Sequence, residues 1–209
     1  MKNILLITSS PRGEMSHSTK LAKELASDLG GNLTVRELWR ESLAPIGPAF
    51  VQAIFTPEPS RTADQRSHLA LSDEAVAQIA TADVVVVAAG MINFGMPASL
   101  KTWIDLITRS GVTFRHSESG AEGLLTGKRL ILVLAAGGVY TSAPRDAMDH
   151  LESALRLNLG FIGLTDVSTV WIDGLAGGED SAKHVLALAG ERSREIVASV
   201  GSDRVVAHA

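Results

Sequence analysis

The chain has 209 residues, enough for one domain of the larger sort with a full-sized core and too few for two comfortable ones. Its 19 basic residues against 23 acidic ones leave no electrostatic footprint for nucleic acid, and the complete lack of cysteine excludes disulfides, thiol chemistry and cysteine-ligated metals. No apolar run approaches the roughly 20 residues of a membrane helix, and Ile4 to Ile7 is too short for a signal-peptide core, so the chain reads as a soluble cytoplasmic protein.

The first apolar run, Ile4 to Thr8, reads as a strand, and the stripe Leu21, Leu25 and Leu29 as a helix opening near Thr19. Leu33 to Leu38 alternates like a weaker strand. The segment Glu41 to Gln65, with prolines at 45, 48, 57 and 59, is a long excursion near a site or a partner surface. A helix with Leu69, Val76 and Ile79 follows. Val84 to Ala89 is a continuous β-branched and small-residue run that leads into the stripe Leu100, Trp103, Ile104 and Ile107. Leu130 to Leu134 and Val167 to Ile172 are further strands, with a helix carrying Leu151, Leu155 and Leu159 between them. Continuous runs of this kind suit strands covered on both faces, and the helical stripes recur at three, four and seven residues. Alternating strand and helix predicts one α/β domain over residues 1–209, a parallel sheet with helices on both faces.

Ligands of such sheets sit outside the carboxyl ends of the strands, which directs attention to three loops. In Thr8-Ser-Ser-Pro-Arg-Gly-Glu-Met-Ser-His-Ser18, four serines and a helix N-terminus suit one phosphate group; Ser16 or Ser18 as a simple helix cap is the plainer alternative. The dinucleotide fingerprint G-x-G-x-x-G and the Walker loop are both missing. Gly90 to Pro97 joins strand to helix with Gly90 and Gly95 allowing close approach; Asn93 and Phe94 could offer backbone N–H groups to the edge of a flat heteroaromatic ring, or the loop is a packed turn. In Ala135-Ala136-Gly137-Gly138-Val139-Tyr140, two adjacent glycines bring bare backbone against a ligand or simply make a turn. Together the three loops suit one ligand with a phosphate at the first and a planar ring across the others, the shape of flavin mononucleotide (FMN).

These residues also carry a resemblance. The runs "SSPRGEMSHST", "MINFGMPASLKTWID", "SGVTFRHSESGAEGLLTGKR", the Gly137-Gly138 turn and "LGFIGLTDV" are similar to the FMN-dependent NADH azoreductases, which are also NADH:quinone oxidoreductases. The resemblance runs from the first strand to Gly174. It implies a flavodoxin-like fold with sheet order 2-1-3-4-5 and a homodimer with flavin at the subunit interface. Carried over, Ser10, Ser16, His17 and Ser18 match the family's phosphate contacts. Met91, Ile92, Asn93 and Phe94 match its M-Y-N-F flavin loop, and Ala135, Ala136, Gly137 and Gly138 match a Ser-Arg-Gly-Gly turn near the pyrimidine end. The chain departs from the pattern at Gly90 and Ala121, each in place of a proline, at Ile92 in place of tyrosine, and at Ala135-Ala136, which lack the hydroxyl and guanidinium.

The implied chemistry is ping-pong transfer of two electrons from NADH or NADPH through FMN to quinones or azo compounds, with flavin N5 accepting the hydride and no catalytic side chain required. His116 aligns with a family tyrosine near the ring, and Phe161 with a residue near the interface; a surface histidine and a core phenylalanine are the alternatives. Phe50 and Phe55 of the excursion are further candidates to roof the ring from a partner copy. His68 and His184 read as solvated helix residues, and none of the histidines, at 17, 68, 116, 150, 184 and 208, has metal-ligand spacing. A reductase that releases free reduced FMN and a flavodoxin-like electron carrier are the competing functions. No G-x-S-x-G elbow supports a hydrolase.

Overall fold

The computed structural model describes residues 1–118 and 120–206; Ser119, within one of the runs quoted above, and His208 lie outside the described residues. Among the described residues, seven strands and six α-helices follow in chain order: β1 (Asn3–Thr8), α1 (His17–Leu29), β2 (Asn32–Glu37), α2 (Pro48–Phe55), α3 (Ala63–Thr81), β3 (Val84–Gly90), α4 (Ala98–Ile107), β4 (Phe114–Ser117), β5 (Gly120–Gly123), β6 (Arg129–Ala135), α5 (Glu152–Phe161), β7 (Asp166–Ile172) and α6 (Glu179–Val206). Five of the strands form a parallel sheet in the order β2-β1-β3-β6-β7. Counting only those strands, this is the 2-1-3-4-5 order expected from the sequence.

The alternation of side chains along each strand divides the core into two layers. Leu5, Ile7, Val85, Val87, Leu130 and Leu132 face the side packed by Ile79 of α3, Trp103 and Ile107 of α4, and Leu155 and Leu159 of α5. Ile4, Leu6, Val84, Val86, Ile131 and Val133 face α1 and α6 through Ala22, Leu25, Ala189 and Ile196. Both faces of the three central strands are therefore dry, which is why those strands read as unbroken apolar runs. β2 is an edge strand with Leu33 and Val35 exposed, and its pattern is correspondingly weak.

Two elements were not separated in the sequence. The excursion contains α2, which Pro48 starts at the first helical position and which buries Phe50 and Ala53 against Leu69 and Leu106, while Phe55 at its end is 81% exposed. The segment after α4 folds into an antiparallel β4–β5 hairpin clasped by an Arg115–Glu122 ion pair. That hairpin docks by backbone on backbone: a methyl group on Gly123 would lie 2.2 Å from the Gly163 nitrogen. His68 and His184 are exposed on α3 and α6.

The register sets the carboxyl ends of the strands at one level. Thr8 pairs with Ala88, Gly90 with Ala135, and Ala135 with Ile172, so the loops after β1, β3, β6 and β7 leave the sheet side by side.

Candidate functional site

The loop after β1 is tied down first. Ser9 donates to the Ala88 carbonyl through both its N–H (3.1 Å) and its hydroxyl (2.9 Å). The chain then turns at Gly13, whose φ of +51° would strain any side chain and whose face is covered by the Trp39 indole; a Cβ there would stand 3.0 Å from the ring. A short 3-10 turn over Gly13–Met15 delivers Ser16 to the start of α1. The helix opens at His17, two residues before the sequence stripe suggested. Ser16 occupies the cap position without capping: its hydroxyl is paired with that of Ser18 at 2.9 Å, and among the described residues the N–H groups of His17, Ser18 and Thr19 have no acceptor. Thr8, Ser9, Ser10, Ser16, Ser18 and Thr19 are all buried around this point, and the Thr8 and Thr19 hydroxyls have no partner. Burial lowers the pKa of His17, and the positive charges of Arg12 and Lys20 lower it further. Orphaned N–H groups, unpaired hydroxyls and a cationic surrounding at one helix N-terminus make a ready anion cradle.

The loop after β3 makes a tight reversal. Ile92 and Gly95 exchange both backbone hydrogen bonds, 2.9 and 3.0 Å, and the two residues between them, Asn93 and Phe94, both have positive φ, +47° and +68°. Asparagine tolerates this region; phenylalanine does so only at a cost of about 1–2 kcal/mol. The turn is fixed from both sides, since Met91 N–H donates to the Ala135 carbonyl at 2.8 Å and His150 N–H to the Phe94 carbonyl at 3.0 Å.

The loops after β6 and β7 are laced together. Gly174, Leu175 and Ala176 donate their N–H groups to the carbonyls of Gly138, Ala136 and Gly137, at 2.9, 3.3 and 2.8 Å. One oxygen of Asp173, the residue after β7, accepts from Tyr140 N–H (3.0 Å), Thr141 N–H (3.1 Å) and the Thr141 hydroxyl (2.9 Å). Tyr140 is thereby set with its ring 6.1 Å from that of Phe94, edge to face.

These loops enclose two adjoining cavities. The first, about 290 Å³, is lined by Ser10, Arg12, Ser16 and His17 at one end and by Met91, Ile92, Ala135, Ala136 and Gly137 at the other. The second, about 260 Å³, continues over Met91, Asn93, Phe94, Ala136, Gly137, Gly138 and Tyr140. The fold thus brings eleven of the twelve cofactor candidates to one cleft. Ser18 is the twelfth; fully buried behind Ser16, it reaches the cleft only through the shared hydroxyl pair. His116 and Phe161 lie elsewhere, flanking Phe114 with ring centroids 5.6 and 4.7 Å from it, and neither lines the cleft of its own chain. Arg12 and Tyr140 stand within loops the sequence singled out but were given no role there, and Asp173 was passed over; a carboxylate directly after an apolar strand, as in "VWIDG", is a signal at the ligand edge of such a sheet.

A larger cavity, about 590 Å³, opens at the opposite edge of the sheet between Lys2, Asp83, Lys128 and Asp166. Its lysines are engaged structurally: Lys2 donates to the Val200 carbonyl, and Lys128 to those of Ala80 and Ala82. Among the described residues no three His, Cys, Asp or Glu side chains gather as metal ligands, and no helix is long and apolar enough to cross a membrane.

Residues 2–196 match the family model described as flavodoxin-like fold. The chain is 43% identical over 201 residues to FMN-dependent NADH:quinone oxidoreductase 1 of Rhizobium etli, covering 94% of this chain and 98% of that protein. It is 42% identical over 205 residues to the FMN-dependent NADH:quinone oxidoreductase of Burkholderia pseudomallei, covering 96% and 100%. Among solved structures it is similar to an azoreductase from Bacillus anthracis str. Sterne, with a TM-score of 0.86 and 26% identity over 94% of this chain and 99% of the other. The chain therefore belongs to the flavodoxin-like fold family, in the branch of the FMN-dependent NADH:quinone oxidoreductases.

Proposed function

We propose that this chain is an FMN-dependent NAD(P)H oxidoreductase acting on quinones, azo compounds or both. The observation that carries the reading is the single cleft that joins a hydroxyl-lined helix N-terminus to bare backbone at the ends of β3 and β6. The residues present fit FMN. The N–H groups of His17, Ser18 and Thr19, open among the described residues, and the hydroxyls of Ser10 and Ser16 would hold a terminal monophosphate, with Arg12 adding charge. A helix N-terminus closing over one phosphate suits the terminal monophosphate of FMN, the cofactor named in the relatives. Met91, Asn93, Phe94 and the Ala135–Gly138 backbone would hold the ring. When bound, FMN supplies the redox chemistry, taking a hydride from the nicotinamide and passing two electrons to the acceptor. The protein's part is to bind, orient and cover. Ala135 and Ala136 contribute backbone alone, so hydrogen bonds to the ring come from main-chain groups there.

The arrangement leaves one side of the ring to be covered by a second copy, and we infer a homodimer. Phe55, Leu157, Phe161 and Val112 are exposed apolar side chains that such a contact would bury, and a two-fold contact would give two equivalent sites. His116 and Phe161 would then serve the partner's cleft. We take residues 1–209 as one domain, and a nicotinamide donor together with a cysteine-free chain fits action in the cytoplasm.

The test is purification, release of any bound cofactor by heat and its identification by mass, and NADH oxidation with a quinone or azo acceptor. Bound FMN with acceptor-dependent turnover supports the reading. FAD, or FMN needed as a consumed substrate, overturns it. Light scattering at assay concentration tests the dimer: a monomer turning over at full rate refutes it.

A further inference from the structure

Tyr140 and Arg145 approach the same point of the glycine turn. A methyl group on Gly138 would sit 3.1 Å from Tyr140 Cε2 and 3.2 Å from Arg145 Nη1, so the bare Cα at 138 is what lets a ring and a guanidinium close on this backbone. Arg145 arrives there because the chain reverses between Ser142 and Arg145, whose N–H donates to the Ser142 carbonyl at 3.2 Å. Arg36, Arg115 and Arg156 are each held on a glutamate. The Arg145 guanidinium is exposed and has no carboxylate or hydrogen-bond partner among the described residues. Gly138 and Tyr140 line the second cavity, and none of that cavity's lining residues is acidic. The neighbouring carboxylate, Asp173, is turned to the N–H groups of Tyr140 and Thr141.

We propose that Arg145 is a tuning residue for the bound flavin, placing positive charge behind the Gly138 wall toward the pyrimidine edge of the ring and favouring its two-electron-reduced form. This rests on the FMN reading given above. The chemistry calls for such a group. Bound FMN would take two electrons and one proton from the nicotinamide together as hydride, adding one negative charge to the site with no proton from solvent, and would pass them on to a quinone that gains its second proton from water. A fixed cation near the point where charge develops stabilises that state, and a guanidinium keeps its charge at every working pH. The pyrimidine edge bears the ring's oxygen and nitrogen acceptors, so a ring held with that edge at Gly138 would meet the Arg145 charge where the two are complementary.

The test is a direct FMN titration of the wild type, Arg145→Gln and Arg145→Lys, followed by the midpoint potential of the bound flavin in each, read spectroscopically against reference dyes. All three are expected to bind oxidised FMN comparably. The glutamine variant should favour the oxidised form about tenfold more than the wild type, a fall of about 30 mV for a two-electron couple. The lysine variant, keeping the charge without the fork, should show less than half of that fall. An unshifted potential in Arg145→Gln, or a lysine variant that falls as far as the glutamine one, overturns the role of the charge. A wild-type chain that binds no FMN fails at the titration, before any potential is read; that result overturns the functional proposal and this inference with it.

Discussion

Replacing Asp173 with alanine should loosen the wall of the ring site without unfolding the protein. Its carboxylate oxygen accepts three hydrogen bonds, two from the Tyr140 and Thr141 backbone and one from the Thr141 hydroxyl, at 3.0, 3.1 and 2.9 Å. A hydrogen bond to a charged group contributes roughly 1.5–3 kcal/mol when desolvated. Asp173 is only half-buried and Thr141 is exposed, and three bonds to one oxygen are not additive, so the set contributes about 2–3 kcal/mol to the order of the loop. The backbone bonds from Gly174, Leu175 and Ala176 to the Ala136–Gly138 carbonyls survive the substitution, and the global loss should stay near 1–2 kcal/mol. What is lost is the placement of Tyr140 against Phe94. If about 1.4 kcal/mol of that ordering must be supplied at binding, FMN affinity falls about tenfold. Asp173→Asn retains an acceptor and should fall between the two. Quenching of flavin fluorescence reads the affinity, and thermal melts without ligand read the stability. A folded Asp173→Ala protein that binds FMN as tightly as the wild type would show that the loop is held by its backbone alone and would refute the reasoning.

Ser16→Asp, which brings a carboxylate to the phosphate end of the cleft, should weaken FMN binding at least tenfold while leaving riboflavin binding little changed, since only the phosphate is repelled. His17 has a folded pKa below its ordinary 6.5, so the folded chain resists protonating it; apoprotein stability should drop as pH falls below about 6.5 toward the folded value and be flat above it on this account. His17→Gln should lose that component, and bound FMN should diminish it by offsetting Arg12 and Lys20; identical pH–stability curves for the variant and wild-type apoproteins would contradict the assignment. Phe94→Gly exchanges the relief of a left-handed phenylalanine, about 1 kcal/mol, for the loss of an aromatic pair of similar size, so thermal stability should change little while FMN affinity drops several-fold. A variant that binds FMN normally would reduce Phe94 to a turn residue.

The parts of the fold legible in the sequence are those where burial is uniform. Val84–Ala89 and Leu130–Leu134 are covered on both faces, so burial leaves an unbroken apolar record. The β4–β5 hairpin left none. Its strands, Phe114–Ser117 and Gly120–Gly123, are mostly exposed, and it is anchored by contact between Gly123 and Gly163, forty residues apart in the chain, which no local pattern encodes. The start of α1 was placed late because its apolar stripe begins only at Leu21, whereas the helix opens at His17 with the Ser16 and Ser18 hydroxyls paired and the first N–H groups open. At the candidate site the glycines and serines marked the right loops, because each loop directly follows a recognisable strand. Arg12 and Tyr140 lay in the marked loops and Asp173 directly after a strand, but their parts depend on which loops the sheet order makes neighbours. His116 and Phe161 are brought together by Phe114 but away from the cleft, a placement that only a second subunit would relate to the ring.

The central claim is that the α1 N-terminus holds a phosphate and thereby selects FMN. Parallel titration of the apoprotein with FMN and with riboflavin, which share a ring and differ in the phosphate, tests it most directly. The open N–H groups of His17, Ser18 and Thr19, with Ser10, Ser16 and Arg12, should make FMN bind at least about 100-fold more tightly, or about 2.7 kcal/mol. Equal affinity for the two would contradict the account, for the ring would then bind without any use of the helix N-terminus.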